Sequence, residues 1–273
     1  MSENFVFTDA DFENYRKLIY KECGITFTET NRPILESRIR EQLRARPNDT
    51  VSSFFSKLGS DSGELRSFLD AVTTNLTRFF RNQAHFDAMQ HYVIPELIKA
   101  KQASGNFHLK IWSAGCSTGE EPYTIAMLLS DILPPPWTFD IMASDISLKS
   151  LMTAKEGFYA DGKIDGVPAP YLTRFFNKVP GGYKIHPDIA SKIRFDYHNL
   201  QNDSGFRNLD IVFCRNVIIY FDDAAQKTVI NHFYDDMASK SFLFIGHSES
   251  LFGMDTKFEF VKNDWAKFYR KWI

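Results

Sequence analysis

The chain has 273 residues, 32 Lys and Arg against 34 Asp and Glu for a formal net charge of −2, and 44% hydrophobic against 24% charged residues. That balance excludes a mainly disordered chain, gives no support to a generally basic nucleic-acid-binding surface, and leaves room for two modules. Cys23, Cys116 and Cys214 are too scattered for a disulfide framework or a zinc site, residues 1–11 are acidic where a signal peptide is basic, and no apolar run reaches the roughly 18 residues of a membrane span. A cytoplasmic, reducing setting is therefore expected.

Residues 9–75 read as helices. Phe12, Tyr15, Leu18 and Ile19 recur at helical spacing, as do Ile34, Leu35, Ile39 and Leu43, and then Phe54, Phe55 and Leu58. Asn48-Asp49-Thr50 and the polar run 59–63 separate them. After residue 105 the text changes to short apolar runs alternating with helical patterns, the form of βαβ units on a parallel sheet. Strands are predicted at 108–113, 139–144, 209–214 and 241–246, with helices at 121–133, stopped by Pro134-Pro135-Pro136, and at 148–156. Glycines and prolines interrupt that rhythm from about 157. There Gly181-Gly182 between Val179 and Tyr183 predicts a hairpin in a small inserted β element. The 26 Phe residues are expected mostly in cores.

The segment Ile111-Trp112-Ser113-Ala114-Gly115-Cys116-Ser117-Thr118-Gly119-Glu120-Glu121-Pro122-Tyr123 joins a strand through a two-glycine turn to a helix start. Such a turn brings bare backbone and free helix N–H groups up to a ligand. No Lys follows the second glycine and the spacing is not G-x-G-x-x-G, so neither a P-loop nor a dinucleotide fingerprint is present. Two glutamates at the helix mouth would repel a pyrophosphate and suit a ligand with hydroxyls or positive charge. S-adenosylmethionine has both. Asp145, at the end of the second predicted strand, stands where doubly wound folds place a ribose-binding carboxylate. On the residues alone, a helix-capping acid in another α/β enzyme accounts for it equally well.

Together with Thr73-Thr74-Asn75-Leu76-Thr77-Arg78-Phe79-Phe80-Arg81, Cys214-Arg215-Asn216-Val217-Ile218-Ile219-Tyr220-Phe221 and Gly246-His247-Ser248-Glu249-Ser250, this turn resembles the CheR-type chemotaxis protein-glutamate O-methyltransferases. The resemblance implies an N-terminal helical domain (1–75) and a Rossmann-like α/β methyltransferase sheet (76–273) carrying an inserted β subdomain (157–197), with residues 258–273 as an antiparallel edge hairpin. It implies S-adenosylmethionine contacts at Asn75, Thr77, Arg81, Gly115, Glu121, Asp145, Asn199 with Leu200, and Asn216 with Val217. Arg81 and Tyr220 fall at the family's candidate positions near the methyl group and the substrate carboxylate. The implied reaction converts glutamates of membrane-bound chemoreceptors to γ-methyl esters and releases S-adenosylhomocysteine. A cofactor-binding module or receptor-docking scaffold without turnover is the alternative.

Arg32, Arg38, Arg40, Arg44 and Arg46 lie on one predicted helix. A solvated face is the ordinary reading; the resemblance raises Arg38 and Arg40 as contacts for the acidic methylation helices of receptors. The enzyme is expected to act as a monomer, without nucleic acid, membrane insertion or a metal. Gly246-His247-Ser248-Glu249-Ser250 is close to a hydrolase nucleophile elbow, but no His follows Ser248, so that triad cannot be completed. Cys116 reads as a small packing residue, and Phe79 and Phe80 are expected to pack at the junction of the two modules.

Overall fold

A computed structural model describes residues 5–73 and 76–273. The first module is built from α1 (Asp9–Cys23), α2 (Arg32–Arg44), α3 (Val51–Ser60) and α4 (Ser62–Val72). Three of these begin where a side chain can accept the free N–H groups of a first turn. Thr8 with Asp11 and Thr50 with Ser53 form reciprocal capping boxes, and Asp61 accepts from the N–H groups of Gly63 and Glu64. The apolar faces close around Tyr15, Phe54 and Phe68, whose rings meet edge-on at 5.5 Å (Tyr15–Phe68) and 5.7 Å (Phe54–Phe68). The buried Tyr15 hydroxyl donates to the Val51 carbonyl at 2.8 Å.

The second module opens with α5 (Gln83–Ala88), which runs through a π turn (Met89–Val93) into α6 (Ile94–Gln102). Then follow β1 (His108–Ala114), α7 (Glu120–Ile132), β2 (Thr138–Asp145), α8 (Leu148–Glu156), β3 (Phe158–Ala160), α9 (Ala169–Phe175), β4 (Phe176–Val179), β5 (Gly182–Ile185), α10 (Pro187–Ala190) and β6 (Ile193–Tyr197). The chain ends with β7 (Leu209–Cys214), α11 (Asp223–Asp236), β8 (Met237–Ile245), β9 (Glu259–Lys262) and β10 (Lys267–Trp272). The main sheet has the order β6-β2-β1-β7-β8-β10-β9; the first five strands are parallel, and β10 is antiparallel to both its neighbours. Connections run outward from β1 through β2 to β6 and then return to β7. The carboxyl ends of β1 and β7 therefore flank a topological switch point, where open α/β sheets bind ligands.

Strand alternation assigns the two faces. Leu109 and Ile111 of β1 and Ile211 and Phe213 of β7 join one core, and Trp112, Ala114, Val212 and Cys214 join the other. Phe213 and Phe244 stack at 4.6 Å between neighbouring strands. Most of the Phe-rich cores lie here, although Phe252 and Phe260 are exposed.

Two expectations are corrected. The inserted sheet, β3-β5-β4, is complete by Ile185, and Ile193–Tyr197, placed inside the 157–197 insertion, pairs parallel with β2 as a main-sheet edge strand. Residues 193–197 thus follow the βαβ rhythm once the Gly- and Pro-rich detour ends. Phe79 and Phe80 do not pack against the helical module. Phe79 meets Tyr159 at 4.8 Å and Phe176 at 5.4 Å, and Phe80 meets Tyr171 at 5.3 Å, so the connecting segment is anchored on the insertion and the core of the second module.

Lys101 of α6 and Asp210 of β7 form an ion pair at 2.7 Å with side chains 17% and 3% exposed, and Asp210 also accepts from the Lys110 N–H at 2.8 Å. Lys101→Met strands a buried carboxylate. It is expected to cost about 3 kcal/mol in urea unfolding; a loss below about 1 kcal/mol would class the pair with solvated surface pairs.

Candidate active site

At the end of β1 the chain turns through Gly115, whose φ of 79° and position against Val217 exclude a side chain: a Cβ there would lie 2.4 Å from the Val217 Cγ2. The N–H groups of Gly115 and Cys116 donate to the Ser144 carbonyl at 2.8 and 2.9 Å, fastening the turn to β2. Asp145 completes the joint. Its two carboxylate oxygens accept from the N–H groups of Ser117, at 2.7 Å, and Ser147, at 2.8 Å. One acid thus fixes the loop after β1 and the loop after β2.

Glu121, in the first turn of α7, accepts from the Ser113 hydroxyl at 2.7 Å and from Arg215 Nη1 at 3.1 Å. Arg215 is 8% exposed, and its Nη2 donates to the Arg81 carbonyl. Arg81 in turn donates through Nη1 to the Leu76 carbonyl at 2.8 Å. A connected set of polar contacts therefore runs from β1 through α7 and the β7 turn to the segment between the modules. Burial pushes the Glu121 carboxyl above the usual range, opposed by the Arg215 charge and the Ser113 hydrogen bond. Burial also raises Asp145, opposed by its backbone N–H partners. His85 lies behind this layer against Phe244 and is pushed down to about 3, by burial first and then by Arg215, so it is neutral at physiological pH.

Arg81, Glu121, Asp145 and Arg215 line a cavity of about 1290 Å³, including its open mouth, whose other wall is the helical module: Ile25, Thr26, Phe27, Ile34 and Val72. That wall is attached by backbone contacts. Thr26 N–H donates to the Tyr220 carbonyl at 2.8 Å, Ile25 bridges Phe221, and Asn199 Nδ2 donates to the Glu22 carbonyl at 2.9 Å. Thr77, Arg81, Gly115, Glu121, Asp145, Asn199, Leu200, Asn216, Val217 and Tyr220 all border the cavity. Asn75 lies outside the described residues. Arg38 and Arg40 do not border it: Arg38 pairs with Glu41 at 3.4 Å, whereas Arg40 pairs with Glu36 at 2.9 Å and covers the Phe5 ring at 4.6 Å. Arg38 is one turn from the cavity-lining Ile34 and shares its helix face, and Arg40 is rotated away.

Several contributors lie beyond the site residues expected from sequence. Arg215, Ser113 and Ser117 are such residues, as is the whole helical-module wall. The signal for Arg215 was available, since a charged residue directly after the apolar run 211–214 that ends a predicted strand must sit at the sheet's carboxyl edge. Nothing local marks residues 22–27. Cys116 is 1% exposed, and burial raises its thiol well above the usual range, as suits a packing residue.

Residues 10–73 match the CheR methyltransferase all-alpha domain and residues 75–267 the CheR methyltransferase SAM binding domain. The chain is 31% identical over 258 residues to a chemotaxis protein methyltransferase of Borreliella burgdorferi, covering 92% of this chain and 91% of that one. It is 31% identical over 254 residues to chemotaxis protein methyltransferase 2 of Vibrio cholerae, covering 90% and 87%, and 32% identical over 267 residues to the chemotaxis protein methyltransferase of Escherichia coli, covering 94% and 90%.

The residues fit S-adenosylmethionine. The cavity is bordered by buried carboxylates that can accept from hydroxyl and ammonium groups, and by apolar Leu200 and Val217 suited to a flat ring. Ser117 Oγ and Arg215 Nε are buried there without a hydrogen-bond partner among the described residues.

The raised carboxyls predict opposite pH trends. Between an ordinary carboxylate value near 4 and their raised values, Glu121 and Asp145 hold protons that the unfolded chain has released. Their contribution to apoprotein stability is therefore lost as pH rises through that window, while affinity for a ligand held by the charged forms should increase. Calorimetric titration with S-adenosylhomocysteine should show affinity falling with acid before exposed carboxylates titrate. Glu121→Gln should flatten much of the slope, and an unchanged slope would remove Glu121 from ligand binding.

Proposed function

The chain belongs to the CheR methyltransferase family, and from that premise we propose that it methylates glutamate side chains of membrane-bound chemoreceptors in the cytoplasm. The products are γ-glutamyl methyl esters and S-adenosylhomocysteine. The observation that carries the reading is the shared cavity: one wall is the cofactor-type edge of the sheet, and the other is a helical module bonded to it near Tyr220. A protein side chain can enter between them.

Bound S-adenosylmethionine would supply an electrophilic methyl carbon; a carboxylate oxygen attacking it in line forms the O–C bond as the C–S bond breaks, and the sulfur leaves as the neutral thioether of S-adenosylhomocysteine, so both charges vanish. The substrate glutamate is already an anion at neutral pH, its ordinary pKa being near 4.3, so no general base is required. The work left to the protein is alignment and exclusion of water. Arg81 is the group proposed to meet a carboxylate of substrate or cofactor, because its guanidinium lines the cavity and is held by the Leu76 carbonyl. Tyr220, whose backbone carbonyl is tied to Thr26, is proposed to donate its hydroxyl to the incoming carboxylate. Asn199 is proposed to lie at the adenine end with Leu200; its carboxamide already bonds the helical module, so its contribution there combines packing with positioning.

The test is transfer of labelled methyl groups to chemoreceptor cytoplasmic fragments, scored as alkali-labile methanol. Label should enter the fragment and be lost when its methylation-site glutamates are changed to Gln. Binding of S-adenosylmethionine without transfer would indicate a regulatory module instead. Arg81→Ala is expected to lower kcat/KM by about a hundredfold, and values within twofold of wild type for both transfer and cofactor affinity would exclude it from the site. Of Arg38 and Arg40 on α2, Arg38 is the one placed to guide an acidic partner. Arg38→Glu should weaken receptor methylation, most at low salt, and Arg40→Glu should do so less; equal, salt-independent effects would contradict that ordering.

A further inference from the structure

Glu249 lies in the turn after β8, outside every role assigned above. Its Oε2 accepts from the Asn216 N–H at 2.9 Å and from the Gly246 N–H, and its Oε1 accepts from the Ile219 N–H at 3.2 Å. One carboxylate thus collects three backbone donors from the ends of two adjacent parallel strands, β7 and β8. The segment it grips contains Asn216, a non-glycine residue held at φ 60°, together with Val217 and Tyr220, which border the cavity. A left-handed Asn is a conformation that surrounding bonds must hold in place. Gly246 leaves the room for the grip: a Cβ there would lie 2.6 Å from Glu249 Oε2 and 2.8 Å from the Asn216 nitrogen.

We infer that Glu249 is a positioning residue, a carboxylate clamp that sets the 216–220 turn at the distance from Gly115 that the cofactor requires. The inference rests on the reading of Asn216 and Val217 as cofactor contacts. Gly115 leaves no slack against Val217, so a shift of the turn by a few tenths of an ångström closes or widens the slot at that point. Two acceptor oxygens are needed as well as shape. A carboxamide has a single acceptor oxygen, so in either orientation Gln at 249 sets its NH2 group against at least one of the three N–H donors.

The experiment is calorimetric titration of S-adenosylhomocysteine into wild type, Glu249→Gln and Gly246→Ala, with amide-proton NMR of the folded proteins. The Gln variant is expected to bind about tenfold more weakly, to raise KM for S-adenosylmethionine more than it lowers kcat, and to move the amide signals of Asn216, Ile219 and Gly246. Gly246→Ala pushes on the same clamp from the other side and should also weaken binding; it decides the matter if the Gln variant does not fold. A core variant of the helical module, Leu58→Ala, serves as the stability control and should lower Tm while keeping the affinity. Binding within twofold of wild type by a folded Glu249→Gln or Gly246→Ala protein overturns the inference. So does an equal loss in Leu58→Ala, which would mark the effect as general destabilisation. Failure of wild type itself to bind would instead count against the cofactor reading on which the clamp depends.

Discussion

The buried ion pair between Glu121 and Arg215 is the constraint on which the functional edge of the molecule depends. It joins the first turn of α7 to the residue after β7, and through the Arg81 carbonyl it reaches the segment that connects the two modules. Burying a carboxylate and a guanidinium is costly, and mutual attraction repays that cost only when the remaining donors and acceptors find partners. Ser113 and the Arg81 carbonyl provide them on two sides. Arg215 Nε is left buried without a partner among the described residues, an imperfection of the kind that clusters at functional sites.

Similar chemistry recurs along the carboxyl edge of the sheet. Asp145 gathers N–H groups from the loops after β1 and β2, and Glu249 gathers those after β7 and β8. These turns leave backbone donors at the end of parallel strands, where sheet pairing has stopped, and acidic side chains satisfy them. The consequence is preorganisation. Displacement at a sulfonium methyl by an anionic carboxylate asks little of acid–base chemistry and much of alignment, and a rigid edge supplies alignment.

The helical module is part of this edge. Its contacts at Glu22, Ile25 and Thr26 meet Asn199, Phe221 and Tyr220, so the proposed substrate-binding module also forms a wall of the cofactor cavity. That arrangement explains how Asn199 can line the cavity while its carboxamide is engaged elsewhere.

Local pattern carried much of this into the sequence. The strand, two-glycine turn and acidic helix start at 111–123 are one contiguous stretch, and the strand predicted at 209–214 is β7 with the same bounds. Helix and strand limits elsewhere moved by a few residues, as at β8, which begins at Met237 rather than 241. What could not be read were pairings across long separations: Glu121 with Arg215 is 94 residues apart, and Asn199 with Glu22 is 177. Periodicity says which face is buried and is silent about which charge lies opposite. Phe79 and Phe80 illustrate the same limit, since their burial was legible and their partners on the insertion were not.

The most direct test of the account is the position of bound S-adenosylhomocysteine in a crystal of the complex. The account predicts the ribose beside Asp145 and Glu121, the adenine against Leu200, and the sulfur turned toward Arg81 and Tyr220 beneath the helical module. A ligand bound outside this cavity, or one whose sulfur faces away from Arg81 and Tyr220, would contradict it.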